Sequence, residues 1–266
     1  MLEGGQPQSL WHPAEIVIIC GAAFGSLVVM APGSVLLKLG KGFISALAGS
    51  PYNKRYAIEL LCALYKLCMV GRRDGIVALE DHITKPEASD LFVKFSLFLK
   101  QKEIVAFVCD GLRPLVDGQV KPDQLEQLIE LEIEAFEEEG HAPVSVLQKV
   151  GDSMPGFGIV AAVLGIILTM GAINGPIETV GYKVAAALVG TFLGILVAYG
   201  YINPMSANLE FAVARQITCM RAIRYALVGF AKGASPMLSI EIARRSLPEY
   251  LKPDADELEG ILKSLN

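Results

Sequence analysis

The chain has 266 residues, of which 53% are hydrophobic and 19% charged, with a formal net charge of −5 and a mean hydropathy of +0.47. That balance excludes an ordinary soluble domain and a pure membrane bundle, and points to a few spans joined to a charged soluble part. Five cysteines (Cys20, Cys62, Cys68, Cys109, Cys219) and three scattered histidines show no CxxC pair and no metal-ligand spacing, so neither a disulfide framework nor a metal site or cofactor is expected.

Residues 1–14 are rich in Gly and Pro and lack the basic and apolar regions of a signal peptide, so they read as an external N-terminal stub. Residues 16–37 carry no charge, follow Trp11 and stop near Pro32; a first transmembrane helix is set at 15–37. Gly21 and Gly25 form a small-residue face suited to helix packing in lipid. Lys38 and Lys41 stand among apolar residues, as in a helix lying at the headgroups.

From 38 to 152 the chain is charged, helically periodic and free of strand alternation, which predicts an all-helical domain. Ala57, Leu61, Leu64, Tyr65 and Cys68 share one stripe, with Gly71 as its stop. Residues 92–109 predict another helix. Residues 122–139, framed by Pro122 and Gly140, predict a helix with Leu125, Ile129, Ile133 and Phe136 inside. Its glutamates read as a solvated face.

Two uncharged runs of roughly 25 residues then flank a short charged turn: spans at 153–177 and 184–207 around an external turn at 178–183 form a hairpin. Gly158 with Ala162, Ala161 with Gly165, and Gly190 with Gly194 give it small packing faces. Pro155 and Pro204 sit at one end of the hairpin and either terminate the helices or form a hinge or pore mouth. Residues 208–266 form a helical tail. Lys and Arg gather after the first span, before the second and after the third; the 38–152 domain and the tail are therefore placed in the cytoplasm. An external N-terminus suggests that a preceding helix is missing. The three uncharged runs contain no ionisable side chain, so a conducted proton would need a carboxylate from elsewhere. Thr191 is the most plausible polar group inside the hairpin. No nucleophile–base set or phosphate-cradling loop suggests an enzyme, and no basic stripe with aromatics suggests nucleic acid.

The runs VGDSMPGFGIVAAVLG, GTFLGILVAYGYINP, WHPAEIVIICGAAFG and GRRDGIVALE together resemble the A subunit of the bacterial flagellar motor stator, the MotA/PomA type within the MotA/TolQ/ExbB proton channels. The resemblance covers almost the whole chain and departs at the front, where the family begins with one more transmembrane helix. It implies an all-α integral membrane protein, four spans in the family and three here, with a helical cytoplasmic domain in the bacterial inner membrane. It further implies a homo-oligomeric ring in lipid around a B-type subunit whose aspartate binds the ion, and contact with the rotor protein FliG. The rotor-contact charges match Arg72, Glu80 and Glu132. The ion-pathway and coupling positions match Asp152, Pro155, Thr191 and Pro204. Ala161 and Ala162 stand where the sodium-driven branch carries a hydroxyl, which favours protons. The alternatives are an ExbB/TolQ-type energy-transducing channel and a non-conducting scaffold; the large loop and the GRRDG…LE element favour the motor reading.

Overall fold

The computed structural model describes residues 11–171 and 173–265, with backbone alone at 45–48; residues 1–10 of the expected stub lie outside it. Among the described residues the regular structure is helical, with no strand. The α-helices are α1 (Pro13–Met30), α2 (Gly33–Ala48), α3 (Lys54–Arg73), α4 (Glu80–Thr84), α5 (Ser96–Lys100) and α6 (Lys102–Val116), followed by α7 (Pro122–Met170), α8 (Ile177–Val197), α9 (Asn203–Ala231), α10 (Pro236–Ser246) and α11 (Ala255–Ser264). They divide into two compact units, Met1–Ala48 with Gly140–Phe211 and Gly49–Glu139 with Ala212–Asn266. The tail beyond 212 thus belongs with the 49–139 unit, whereas residues 140–152, expected in the soluble domain, belong with the apolar one.

The first unit holds α1, α2, the second part of α7, α8 and the start of α9. Three helical stretches, beginning at Pro13, Pro122 and Ile177, are long and apolar enough to cross a membrane. The first ends at Met30, and Leu37 already belongs to α2. Ala31 leaves the helical region (φ −113°, ψ 130°) because the following Pro32 disfavours the α conformation at the residue before it. Large apolar side chains such as Val29, Ile167 and Leu188 face outward, as lipid or neighbouring subunits require. The buried core is correspondingly small: Ile19 and Ala23 of α1 meet Val150, Met154 and Ala161 of α7 and Ala198.

The second unit has an ordinary large-residue core. The stripe Ala57, Leu61, Leu64, Tyr65 and Cys68 is buried, as are Leu125, Ile129 and Ile133, with Phe136 packed against them. Leu60, Phe92, Phe98, Phe107 and Leu112 complete it. Gly71 does not stop α3, which continues to Arg73. A Cβ there would lie 2.6 Å from Phe230 Cζ, so the glycine admits an aromatic ring. Residues 92–109 form two helices rather than one, α5 and α6 meeting at Gln101. The amide of Leu97 donates to Glu59 Oε2 at 2.8 Å, satisfying one of the free N–H groups that start α5. Side-chain caps at Asn53, Ser235 and Asp254 begin α3, α10 and α11, each satisfying an amide that the helix leaves bare.

The glutamates of the 122–139 stretch are not merely solvated. Arg224 of α9 bridges Glu126 and Glu130, Lys232 bridges Asp123 and Glu126, and Arg221 pairs with Glu137 at 3.2 Å. The spacing of the acids in steps of four or so residues puts them on one α7 face, opposite a cationic face of α9. Gly140 does not end this helix either: α7 runs on through Pro143 and Pro155 to Met170.

Candidate functional site

Within the first unit α7 and α8 touch backbone to backbone. A Cβ on Gly158 would lie 2.8 Å from the Gly190 carbonyl oxygen and 3.3 Å from both Gly194 Cα and Thr191 Cα. One on Gly194 would lie 2.8 Å from the Met154 carbonyl oxygen, and one on Gly165 3.0 Å from Ala187 Cβ. Small residues at these steps let the helices approach closely enough for dispersion and Cα–H···O contacts to hold them where water is absent. Gly158, Ala161, Gly165, Gly190 and Gly194 make these contacts, whereas Ala162 is half-buried and it is Ala161 that lies against Gly190. Gly21 and Gly25 do not pack within the chain: a Cβ on either meets open space. α1 turns Ile19 and Ala23 inward instead.

The paired prolines do not terminate helices. Pro155 lies inside α7, and Pro204 lies at the second position of α9, entered directly from a π-helical turn at Ala198–Ile202. A proline within a helix has no N–H for the carbonyl four residues earlier and its ring crowds that carbonyl; here those positions are Gly151 and Gly200. The wider π turn is the usual way a helix absorbs such a defect. The two disturbed ladders stand side by side. Gly151 lies so near Asn203 that a Cβ on it would overlap Asn203 Oδ1, at 1.9 Å, while Asn203 Nδ2 donates to Asp152 Oδ1 at 3.3 Å. Asn203 Oδ1 is buried with no partner among the described residues. Nearby, Ser206 Oγ donates to the Val144 carbonyl at 3.1 Å, a second link between α7 and α9.

Asp152, Pro155 and Pro204 are thus gathered at one end of the unit, around Asn203, which the sequence reading missed. Thr191 lies about one helical turn further in, its Cα beside Gly158. Thr169 Oγ1 donates to the Gly165 carbonyl at 2.7 Å, the own-turn bond typical of a membrane threonine. Glu15, the first residue of the span set at 15–37, was passed over as its flank. The charge-free run begins at Ile16, but the helix begins at Pro13 and carries Glu15 inward, 8% exposed.

The second unit separates the charge positions. Arg72 in the last turn of α3 and Glu80 in the first turn of α4 are both exposed. Between them the chain turns through Gly75, whose φ of +91° favours glycine. Glu132 is elsewhere, on α7. Partial burial, aided by the charge of Asp110 on α6, pushes its carboxyl above the ordinary range.

This arrangement has known counterparts. The family described as Motility protein A N-terminal matches residues 1–75, and the MotA/TolQ/ExbB proton channel family matches residues 100–222. The chain is 38% identical over 259 residues to the chemotaxis protein LafT of Vibrio parahaemolyticus, covering 97% of this chain and 91% of that protein. It is 35% identical over 265 residues to motility protein A of Escherichia coli, covering 100% and 90% respectively. Its fold is similar to the solved C. jejuni MotAB structure, with a TM-score of 0.75, 23% identity and coverage of 93% of this chain and 89% of that one. The flagellar MotAB stator complex of Bacillus subtilis gives a TM-score of 0.74 at 24% identity, covering 98% and 92%.

Proposed function

Because the chain belongs to the motility protein A family of the MotA/TolQ/ExbB proton channels, we propose that it is the A-type subunit of a bacterial flagellar stator, a multi-pass protein of the inner membrane. A B-type partner is supported by the structural neighbours being MotAB complexes; several copies of this chain ring that partner, which supplies the aspartate that carries the ion. The cations flanking the apolar runs put the second unit and the tail in the cytoplasm and the 178–183 turn outside.

The observation that carries this reading is the pair of proline-disturbed helices joined through Gly151, Asp152 and Asn203. A helix that lacks a backbone hydrogen bond bends more readily at that level. Two such levels side by side support the second of the two readings of the prolines, a hinge in the membrane unit. Protonation of the partner's aspartate removes a buried charge and changes which helix packing is favoured. About 5.5 kcal/mol of differential stabilisation suffices to swing a two-state equilibrium almost completely. The hinge passes that movement along α7 and α9, and Arg72 and Glu80 meet the rotor through charge contacts that set encounter and register more than affinity. Glu132, on α7 beside Asp110, is a separate charged position and a second candidate contact with the rotor. Protons are the favoured ion, since Ala161 and Ala162 offer no hydroxyl oxygen.

Pro155→Ala restores the missing N–H and is the direct test. Swimming speed falls several-fold while the amount of chain in the membrane stays at the wild-type level. Unchanged swimming removes the hinge from the mechanism, and loss of the protein from the membrane reduces Pro155 to a folding role. Swimming speed followed across sodium concentrations at fixed pH tests the ion; a steep sodium dependence overturns the proton assignment.

A further inference from the structure

At the opposite end of the membrane unit from Asp152 lies a cleft of about 210 Å³, walled by His12, Glu15, Gly165, Tyr182, Lys183 and Ala186. It is bounded by α1, α7 and α8. The His12 ring stands 4.9 Å from that of Tyr182, and Lys183 Nζ donates to the Leu168 carbonyl at 3.2 Å. His12, at 3% exposed, and Glu15, at 8%, are among the few buried polar side chains of the chain. No described residue forms a hydrogen bond or ion pair with the Glu15 carboxylate. Its Cγ lies 3.6 Å from where a Cβ of Gly190 would be, which is six residues, roughly 9 Å at about 1.5 Å per residue, along α8 from Val184, where the third span begins. In a hydrocarbon layer about 30 Å thick that is about a third of the way in.

A glutamate enclosed in the wall of a cleft at membrane depth with no fixed partner is uncommon, and such groups mark ion and proton paths. Gly190 directly precedes Thr191, so the carboxylate stands one residue from the expected ion pathway. We propose that Glu15 is a proton-accepting station on the A subunit itself, between the outer mouth lined by His12 and Lys183 and the level of Thr191. A hydronium ion in the cleft gives its proton to a Glu15 oxygen, forming an O–H bond and leaving water. The same proton then passes to water on the inner side, and the carboxylate is restored. A metal cation fits poorly: the cleft offers one carboxylate beside an ammonium group, not the set of oxygens that hard cations take. The groups that face Glu15 across the cleft are His12 before α1 and Tyr182 and Lys183 on α8; α7 contributes only Gly165 and Leu168 there.

This inference rests on the stator reading and is tested within it. Cells producing the full chain with its B-type partner are compared for membrane proton flux and swimming speed across external pH, with assembled stator measured in the same membranes. Glu15→Gln loses flux several-fold at equal stator content and its pH profile flattens, while Glu15→Asp keeps most of the flux. Flux and profile of Glu15→Gln that match wild type overturn the proposal. So does a Glu15→Asp protein that fails together with Glu15→Gln through loss of assembled stator. A wild-type complex that passes no protons defeats the stator reading itself, whereas a conducting complex indifferent to Glu15→Gln defeats this inference alone.

Discussion

The two units of the chain solve the packing problem by opposite means. The second buries Leu60, Leu64, Phe92, Phe98 and Phe107 around one another, so that water exclusion drives it together. The first buries little that is large and turns Val29, Ile167 and Leu188 outward; it is closed by Gly158, Gly190 and Gly194, where backbones nearly touch. The lesson is that side-chain size has the reverse meaning in each. Adding atoms is the damaging change in one unit, removing them in the other.

The sharpest way to break this comparison is at Gly194. Gly194→Val puts a branched side chain where a Cβ alone would lie 2.8 Å from the Met154 carbonyl. Backbone cannot yield there as a side chain can, so the chain is lost from the membrane fraction and motility is abolished. Gly21→Val, facing open space, leaves membrane insertion intact; if it nevertheless blocks assembly, the face it occupies touches another subunit.

The converse change belongs in the second unit. Phe107→Ala removes a ring that is 1% exposed and costs about 3–5 kcal/mol, read as a lowered urea midpoint of the detergent-solubilised chain by circular dichroism. Loss of the Arg224 guanidinium, 17% exposed between Glu126 and Glu130, is milder. Arg224→Met leaves two carboxylates without their common partner and costs about 1–3 kcal/mol by the same measurement.

The smallest effect is one of pH. The Arg244 guanidinium holds Glu241 at about 2 rather than 4.5, with Arg245 assisting. A depressed carboxyl stabilises the fold above its unfolded value and loses that contribution as pH falls from about 4.5 toward 2. Thermal melts in acid should therefore show wild type losing stability through this window, and Glu241→Gln losing less.

Much of this was legible from residue order. The stripes at 57–68 and 125–136 were visible because a helix on a large-residue core repeats its apolar positions every three or four residues. Helix ends were less legible. Gly71, Gly140 and Pro155 carry the usual marks of termination, yet α3 and α7 run through all three, because tertiary contacts outweigh local preference. At two of these places a glycine makes room for a neighbour: Gly71 admits Phe230, and Gly151, whose carbonyl the Pro155 ring crowds, admits Asn203. Asn203 and Glu15 escaped notice for a related reason. Both look like polar flanks of an apolar run, and only the packing of helix against helix shows that they are enclosed. The acidic run of α7 was misjudged because its counter-charges, Arg221, Arg224 and Lys232, lie some ninety positions away in the chain.

The π turn at Ala198–Ile202 has one further result. A turn of that kind takes up an additional residue, so the helical screw before it and the screw after it are out of phase by roughly 100°. Asn203 and Ser206, in the first turn of α9, point where they do only because of that offset. Deleting any one residue between 198 and 202 would bring the screw back into step, swing Ser206 away from the Val144 carbonyl, and uncouple Asn203 from Asp152 without altering a single side chain at either contact.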